Sequence, residues 1–294
     1  MIKKVGIIGC GTMGAGITQV VLEAGYVAVV REIDSSLLDK GMTAIGKRLE
    51  RSVEKGTLSS SAKEETMARL SGTLALENFK DCDLIIEAVF EDIRIKKELF
   101  KNLDMICSRE TIFASNTSTL SITEMASATK RQERIIGLHF FNPVQVMPLV
   151  EVIKTITTHD EILQIAFDFA KSLKKVPILA KDNPGFIVNL LLTPYFMDAI
   201  RAVANGVASI QDIDTGMKLG CGYPMGPLML ADFIGLDTLC KGANSMFDEY
   251  RDRRYAPPPL LVQMVRMGYL GKKVGKGFYD WSDQKNPIPL PLNF

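Results

Sequence analysis

Only two histidines occur in the 294 residues, and the position of one of them suits proton transfer. His139 lies near the end of an apolar run, residues 135–140, and Phe141-Asn142-Pro143 follows that run. An imidazole has an ordinary pKa of about 6.5, so it can take and return a proton near neutral pH. A structural role is the simpler interpretation of a lone histidine, but a strand end in an open parallel sheet is where ligands bind. His159 lies in a polar stretch typical of a helix start and is interpreted as a surface residue.

Glu151 is the expected partner of that imidazole. It is one charge among apolar neighbours in residues 148–153, which have the pattern of a strand. A carboxylate in such surroundings usually has a partner, because burial without one is costly. Bound to His139, it would fix the tautomer and stabilise the imidazolium. The alternative is that Glu151 faces solvent at a sheet edge.

A glycine-rich loop follows the first apolar run of the chain. Gly9-Cys-Gly-Thr-Met-Gly14 lies between a strand at 5–8 and a helix extending to about residue 23, and a second strand follows at 27–31. In this setting Gly9 permits a tight turn, Gly11 lets a pyrophosphate approach the backbone, and Gly14 lets the helix pack on the strand. The phosphates would face the helix N-terminus. We therefore expect a bound dinucleotide, with contacts from Gly9, Gly11, Thr12, Met13 and Gly14.

Glu32, at the end of the second strand, decides which dinucleotide is favoured. A carboxylate there binds the ribose hydroxyls of NAD and repels the 2′-phosphate of NADP. Arg31 beside it can accommodate that phosphate, so NAD is favoured and NADP stays open. The structural alternative is a glycine turn beside a surface Glu–Arg pair.

The elements that position these residues alternate between short apolar runs and helical stretches. This alternation predicts an α/β fold of Rossmann type, a mostly parallel sheet with helices on both faces. The predicted strands are residues 5–8, 27–31, 84–88, 112–114, 135–140, 150–153 and 176–180. In residues 97–106, Leu99, Leu103 and Ile106 form one apolar stripe, which predicts a helix. The polar segment 37–70, interrupted at Gly56, predicts a helical hairpin that projects from the sheet.

The pattern changes at Asn183-Pro184, which predicts the cap and first position of an apolar helix over residues 186–204, ending at Gly206. Ser209 begins a capping box, and residues 228–234 and 260–267 are further apolar helical segments. We therefore expect two domains, residues 1–182 for the cofactor and 183–294 as a small α-helical domain for dimerisation and substrate contacts. The apolar character of its helices favours a homodimer.

Composition excludes several classes of protein. Lys+Arg 35 against Asp+Glu 34 gives a net charge of +1, which argues against a nucleic-acid partner or an anionic membrane. The five cysteines form no metal-ligand pattern with histidine, so no metal is expected, and buried reduced thiols indicate a cytoplasmic protein. No apolar run has the length of a membrane span, and no signal peptide is recognised at the N-terminus.

Nearly the whole chain resembles the L-3-hydroxyacyl-CoA dehydrogenases, and within them the short bacterial 3-hydroxybutyryl-CoA dehydrogenases. The resemblance rests on eight segments of the sequence. They are residues 9–14 (GCGTMG), 87–91 (EAVFE), 114–118 (ASNTS), 139–143 (HFFNP), 149–152 (LVEV), 184–189 (PGFIVN), 224–227 (PMGP) and 275–279 (GKGFY).

The resemblance implies a role for each matched residue. His139 would be the general base and Glu151 its partner, while Ser118 would bind the substrate oxygen, and Asn189 and Asn142 would complete the polar lining. Glu91, Lys96 and Asn116 match cofactor positions, and Arg51 and Lys55 match positions that meet the coenzyme A phosphates. Leu190 and Pro148 depart from the family pattern, where Arg and Lys are usual, and Glu32 replaces the more usual Asp.

The predicted function is the reversible oxidation of an (S)-3-hydroxyacyl-CoA, with a short acyl chain, to the 3-oxoacyl-CoA by NAD. One alternative is a related dehydrogenase that acts on a free hydroxy acid or sugar acid. Another is a non-catalytic NAD-binding protein. A protein that only binds NAD needs none of His139, Glu151, Ser118 and Asn189. The presence of all four therefore argues against the non-catalytic alternative.

Overall fold

Short apolar runs in the first part of the chain form one eight-stranded sheet. The computed structural model describes residues 2–291. Its strands in this sheet are β1 Lys4–Ile8, β2 Val27–Arg31, β3 Leu70–Thr73, β4 Leu84–Glu87, β5 Ile112–Ser115, β6 Ile135–Phe140, β7 Leu149–Lys154 and β8 Val176–Lys181. All seven predicted strands are present with small changes at their ends, and β3 was not predicted because its sequence, LSGT, is short and polar.

The strand order is β3-β2-β1-β4-β5-β6-β7-β8. Every pair is parallel except β6 with β7, which run antiparallel. The prediction of a mostly parallel sheet is confirmed. The antiparallel pair brings the start of β7 to the edge of the sheet where β6 ends.

Alternate residues of the central strands supply two separate hydrophobic cores. Ile7 and Val30 belong to one core, together with residues of α1 Thr12–Glu23 and α6 Asp160–Ser172. Ile8 and Val29 belong to the other, with residues of α4 Ile93–Ile106 and α5 Ile122–Ala126. Helices therefore cover both faces, as predicted, and this explains why most strands are continuous apolar runs.

The polar segment after β2 forms a helical hairpin, as predicted. Helix α2 covers Ser35–Glu54 and α3 covers Ser60–Ala68, with Gly56 at a φ of 70° between them. Asp34 caps α2 by accepting the backbone N–H of Leu37 at 2.8 Å. Gly41, Ile45 and Leu49 recur every four residues along one buried face of α2. The hairpin is thus attached along one face, and the end of α2 that carries Arg51 is exposed.

A second unit begins after Phe186 and consists mainly of helices. They are α7 Val188–Ala204, α8 Ile210–Cys221, α9 Pro227–Ile234, α10 Leu236–Tyr250 and α11 Pro259–Arg266, with a short antiparallel pair, β9 Tyr279–Asp280 and β10 Ile288–Pro289. Ser209 accepts the N–H of Asp212 at 3.1 Å, which confirms it as the predicted start of a helix. Helix α10 is absent from the prediction, although Leu236, Leu239, Cys240, Ala243 and Met246 form its buried stripe.

The predicted start of α7 is wrong. Asn183 does not cap it, and Pro184 is not its first residue; the helix begins at Val188. The backbone N–H of Phe186 instead closes a turn onto the carbonyl of Asn183 at 2.8 Å. Gly185 and Phe186 have φ values of 85° and 49°, and a left-handed backbone cannot continue a right-handed helix. The chain divides into two compact units after Phe186, whereas the boundary predicted from the sequence is at residue 182.

The cysteines are free thiols, and four of the five are buried. Cys221 is exposed at the end of α8, so the expectation that all are buried is wrong for this residue. Between residues 2 and 291, no helix combines the length and apolar character needed to cross a membrane, and no cluster of His, Cys, Asp and Glu could bind a metal.

Candidate active site

Backbone contacts fix two of the three loop glycines. Gly9 has a φ of 94°, and a Cβ on it would lie 2.5 Å from the carbonyl oxygen of Ala88. A Cβ on Gly14 would lie 1.8 Å from the carbonyl oxygen of Gly9, so the first turn of α1 packs against the loop only if residue 14 is glycine. These two positions therefore shape the turn and the helix approach that the sequence predicts.

Gly11 lies beside open space instead. A Cβ on it would meet no atom of the described chain within 4 Å, and as N-cap of α1 it provides no side-chain acceptor for the helix. Thr12 and Met13 form the first turn, where backbone N–H groups and the helix dipole favour an anion. The loop therefore fits the pyrophosphate of a dinucleotide.

Glu32 lies beside this loop, at the end of β2. Its Oε1 accepts the backbone N–H of Cys10 at 2.5 Å, and its Oε2 accepts the N–H of Ile33 at 3.2 Å. Burial, reinforced by Glu32, raises the pKa of the Cys10 thiol to about 11, so this thiol stays neutral. Arg31 donates from Nε to the carbonyl of Leu74 at 2.9 Å, which ties it to the chain after β3. Of Arg31 and Glu32, therefore, it is Glu32 that hydrogen-bonds to the glycine loop.

His139 and Glu151 form a buried pair. They lie directly opposite each other in the antiparallel β6–β7 ladder, and His139 Nδ1 is 2.7 Å from Glu151 Oε2. Glu151 is 0% exposed, so the alternative that it faces solvent is wrong. The rings of Phe141 and Phe186 lie 4.5 and 5.6 Å from the imidazole. Because Nδ1 is engaged, Nε2 is the nitrogen that remains for proton transfer.

The segment after β5 lies where the parallel strands end, on the same side of the sheet as His139 at the end of β6. Asn116 Oδ1 accepts the backbone N–H of Phe140 at 2.9 Å, which links this segment to the residue after His139. The N–H of Ser118 reaches Glu91 Oε1 at 3.3 Å, and both Asn116 and Ser118 are half-buried. The structure thus brings Asn116, Ser118, Glu91 and His139 to one edge.

Lys96 is almost completely buried and forms ion pairs with two carboxylates. Its Nζ lies 3.0 Å from Glu91 Oε2 and 2.6 Å from Glu87 Oε1. Glu87 lies in the motif of residues 87–91, but no role is predicted for it from the sequence. The available signal is a lone acid at the end of an apolar strand, which is the same signal that identified Glu151.

The other expected site residues lie in other parts of the chain. Arg51 and Lys55 lie one turn apart at the exposed end of α2. Asn142 is exposed in the turn after β6. Asn189 lies in the first turn of α7, in the second unit, and is half-buried there. His159 is the exposed N-cap of α6, which confirms it as a surface residue.

Comparison with known proteins covers both units. Residues 4–183 match the NAD binding domain of 3-hydroxyacyl-CoA dehydrogenase, and residues 185–281 match the C-terminal domain of the same family. A 3-hydroxybutyryl-CoA dehydrogenase of Clostridioides difficile is 45% identical over 95% of this chain and 99% of its own. The human mitochondrial hydroxyacyl-coenzyme A dehydrogenase is 45% identical over 96% of this chain and 92% of its own.

Solved structures agree with this assignment. The crystal structure of (S)-3-hydroxybutyryl-CoA dehydrogenase from Ralstonia eutropha has a TM-score of 0.92 and 41% identity, and the match covers 96% of this chain and 100% of that one. The chain belongs to the 3-hydroxyacyl-CoA dehydrogenase family.

Proposed function

We propose that the chain catalyses the reversible, NAD-dependent oxidation of an (S)-3-hydroxyacyl-CoA, with 3-hydroxybutyryl-CoA as the substrate. The observation that carries the proposal is the buried His139–Glu151 pair at the edge of the sheet that holds the glycine loop. The names of the C. difficile and R. eutropha relatives support the substrate class and the short acyl chain.

His139 acts as the general base in this proposal. Its Nδ1 is held by Glu151, so Nε2 accepts the proton of the substrate hydroxyl and returns it in the reverse reaction. The imidazolium that forms lies beside a carboxylate from which water is excluded, so the pair stabilises the charge developed in the transition state. NAD, when bound, supplies the acceptor for the hydride that leaves the substrate carbon.

Polar side chains position the reacting groups. We assign Ser118 and Asn189 to substrate binding, with Ser118 at the substrate oxygen, and we assign Arg51 and Lys55 to the coenzyme A phosphates. The residues assigned to the cofactor are Gly9, Gly11, Thr12, Met13, Gly14, Glu32, Glu91, Lys96, Asn116 and Asn142. Holding reactants in place contributes much of the acceleration in such a reaction.

We further propose that residues up to 182 hold the cofactor and that residues 183–294 form a homodimer contact in the cytoplasm. Free thiols are typical of a reducing compartment. Leu191, Leu219 and Phe233 are exposed apolar side chains of the second unit, which favours a partner there. Light scattering during gel filtration should give twice the chain mass of 32.5 kDa. A monomer mass at micromolar concentration would contradict the dimer.

His139→Gln is expected to lower turnover by roughly 10²–10⁴-fold, the usual contribution of a positioned acid–base group. NADH binding should change little, because the ring is not needed to hold the cofactor. The assay is NADH consumption with acetoacetyl-CoA, alongside NADH titration. The control is His159→Gln at the exposed histidine, which should keep normal turnover. Normal turnover in His139→Gln would remove this residue from the mechanism.

Glu32→Ala is expected to weaken NADH binding by about 10-fold or more, because a charged hydrogen-bond acceptor for the ribose is lost. NADPH should lose less, since the carboxylate that repels its 2′-phosphate is also removed. Fluorescence titration with both cofactors gives the ratio, and Glu77→Ala at an exposed acid is the control. An unchanged ratio would exclude Glu32 from ribose recognition.

Coenzyme A recognition is tested with Arg51→Ala and Lys55→Ala. Each is expected to raise KM for acetoacetyl-CoA by about 2- to 5-fold, the scale of an exposed ion pair, and more at low salt. Lys101→Ala, at an exposed lysine of α4, should leave KM unchanged. Free acetoacetate should be a poor substrate for the wild type. If it is turned over as well as the thioester, the enzyme acts on free acids and these assignments are wrong.

A further inference from the structure

Five residues at and near the ends of β4 and β5 are joined in a closed ring of hydrogen bonds and ion pairs, here called the Glu87 ring. Lys96 Nζ lies 2.6 Å from Glu87 and 3.0 Å from Glu91. The Ser115 hydroxyl donates to Glu87 Oε2 at 2.6 Å, and the Thr117 N–H donates to Ser115 Oγ at 3.2 Å. The Thr117 hydroxyl donates to Glu91 Oε1 and closes the ring.

Charge burial makes this ring costly. Glu87 is 0% exposed and Lys96 is 1% exposed, and removing such ions from water costs several kcal/mol each unless their geometry compensates. Well-packed apolar residues would often give a fold the same stability or more. Glu87 also has no part in the proton or hydride transfer proposed above. Its role therefore has to be sought in what the ring holds.

Glu87 keeps Lys96 charged. Burial by itself lowers the pKa of Lys96, but Glu87 and Glu91 outweigh it, so the pKa lies above its ordinary value. These two carboxylates are the charged groups that raise the pKa of Lys96. With one of them removed, the remaining carboxylate has to offset the burial alone, and the pKa of Lys96 falls.

The ring also holds residues 116–118. Glu87 accepts the Asn116 backbone N–H on its carbonyl at 2.8 Å and the Val89 N–H on its carboxylate at 2.7 Å. Glu91 accepts the N–H of Ser118 at 3.3 Å. Asn116 in turn accepts the N–H of Phe140, the residue after His139. The segment expected to contact cofactor and substrate is thus held directly by the Glu91 carboxylate, and by the Glu87 carboxylate through Ser115.

We propose that Glu87 is a positioning residue, whose buried carboxylate joins Lys96 on α4 to Ser115 on β5 and so fixes residues 116–118 for catalysis. The inference rests on the proposed dehydrogenase function. Glu87 contacts neither reacting group itself. It acts through Lys96, which carries a charge, and through Ser115, which connects to residues 116–118.

The main test is Glu87→Gln. An amide of the same size has only one oxygen, so Lys96 or the hydroxyl of Ser115 loses its acceptor. We expect kcat with acetoacetyl-CoA to fall about 10- to 100-fold at pH 7, the effect of a small misplacement of catalytic groups. The ratio of variant to wild type should fall further as the pH rises, because losing the Glu87 carboxylate lowers the pKa of Lys96 in the variant. Glu87→Asp keeps the charge and should keep the wild-type pH profile.

Asp104→Asn is the matched control. Asp104 pairs with buried Arg131 at 2.6 Å, near the other end of α4, so this change also breaks a largely buried ion pair. It should lower the melting temperature and leave kcat and its pH profile unchanged. Ser115→Ala is the second variant, usable if Glu87→Gln does not fold. It keeps the Glu87–Lys96 pair, so it should lower kcat by a factor that is the same at every pH.

Backbone hydrogen exchange of the cofactor-free protein gives a readout independent of turnover. The N–H groups of Thr117 and Ser118 should exchange faster in Glu87→Gln and Ser115→Ala than in the wild type or Asp104→Asn, because their acceptors are no longer held. Turnover of acetoacetyl-CoA by the wild type tests the proposed function. The ratio of kcat in the variant to kcat in the wild type tests the role of Glu87. Unchanged exchange at these groups, or a kcat ratio for Glu87→Gln that is near one or equal at every pH, would overturn the inference.

Discussion

A carboxylate removed from water must be compensated within the protein, and this constraint determines the geometry at the edge of the sheet. The buried Glu151 carboxylate is compensated by His139, which the antiparallel register of β6 and β7 places directly opposite it. A shift of one residue would turn Glu151 to the other face of the sheet and leave both groups without their partner. The reversal of direction at β7 is therefore more than a detail of topology. It brings the acid to the end of β6, where the imidazole lies.

The same constraint stiffens segments that would otherwise be ordinary loops. Residues after β4 and β5 leave the sheet at its open edge, where connections are usually mobile. Here the backbone N–H of Val89 donates to Glu87, and that of Ser118 donates to Glu91. Both carboxylates form ion pairs with Lys96. Two hydrophobic cores, one on each face, hold the strands beneath. Site residues therefore start from fixed positions, which is the condition for efficient positioning of reactants.

The sequence predicts those parts of the molecule whose signals are local. The glycine loop, the apolar strands and the lone acid Glu151 are each visible in a short window, and the structure places them as expected. The start of α7 was not predictable in this way, because the left-handed backbone at Phe186 leaves no trace in composition. Helix α10 did carry a readable stripe of buried residues, and β3 carried none. Glu87 shows the same pattern as Glu151, but its partners Lys96 and Ser115 come from two other elements, so its connections could not be read from sequence.

Burial of an acid is not by itself a sign of chemistry, as the second unit shows. Asp232 is 0% exposed and accepts the N–H groups of Phe278 and Tyr279 and the indole N–H of Trp281. A Cβ on Gly277 would lie 2.0 Å from this carboxylate, so the GKGFY segment needs a glycine there for packing. Burial raises the pKa of Asp232 to about 6, against three donors that lower it.

What separates the two kinds of buried acid is the partner. The donors to Asp232 are amides and an indole that do not titrate, and they hold residues 278–281 against this carboxylate. Glu151 faces an imidazole, which can gain and lose a proton, and Glu87 faces a lysine whose charge depends on it. An acid paired with a titratable group at the open edge of the sheet can act in proton transfer or govern a charge.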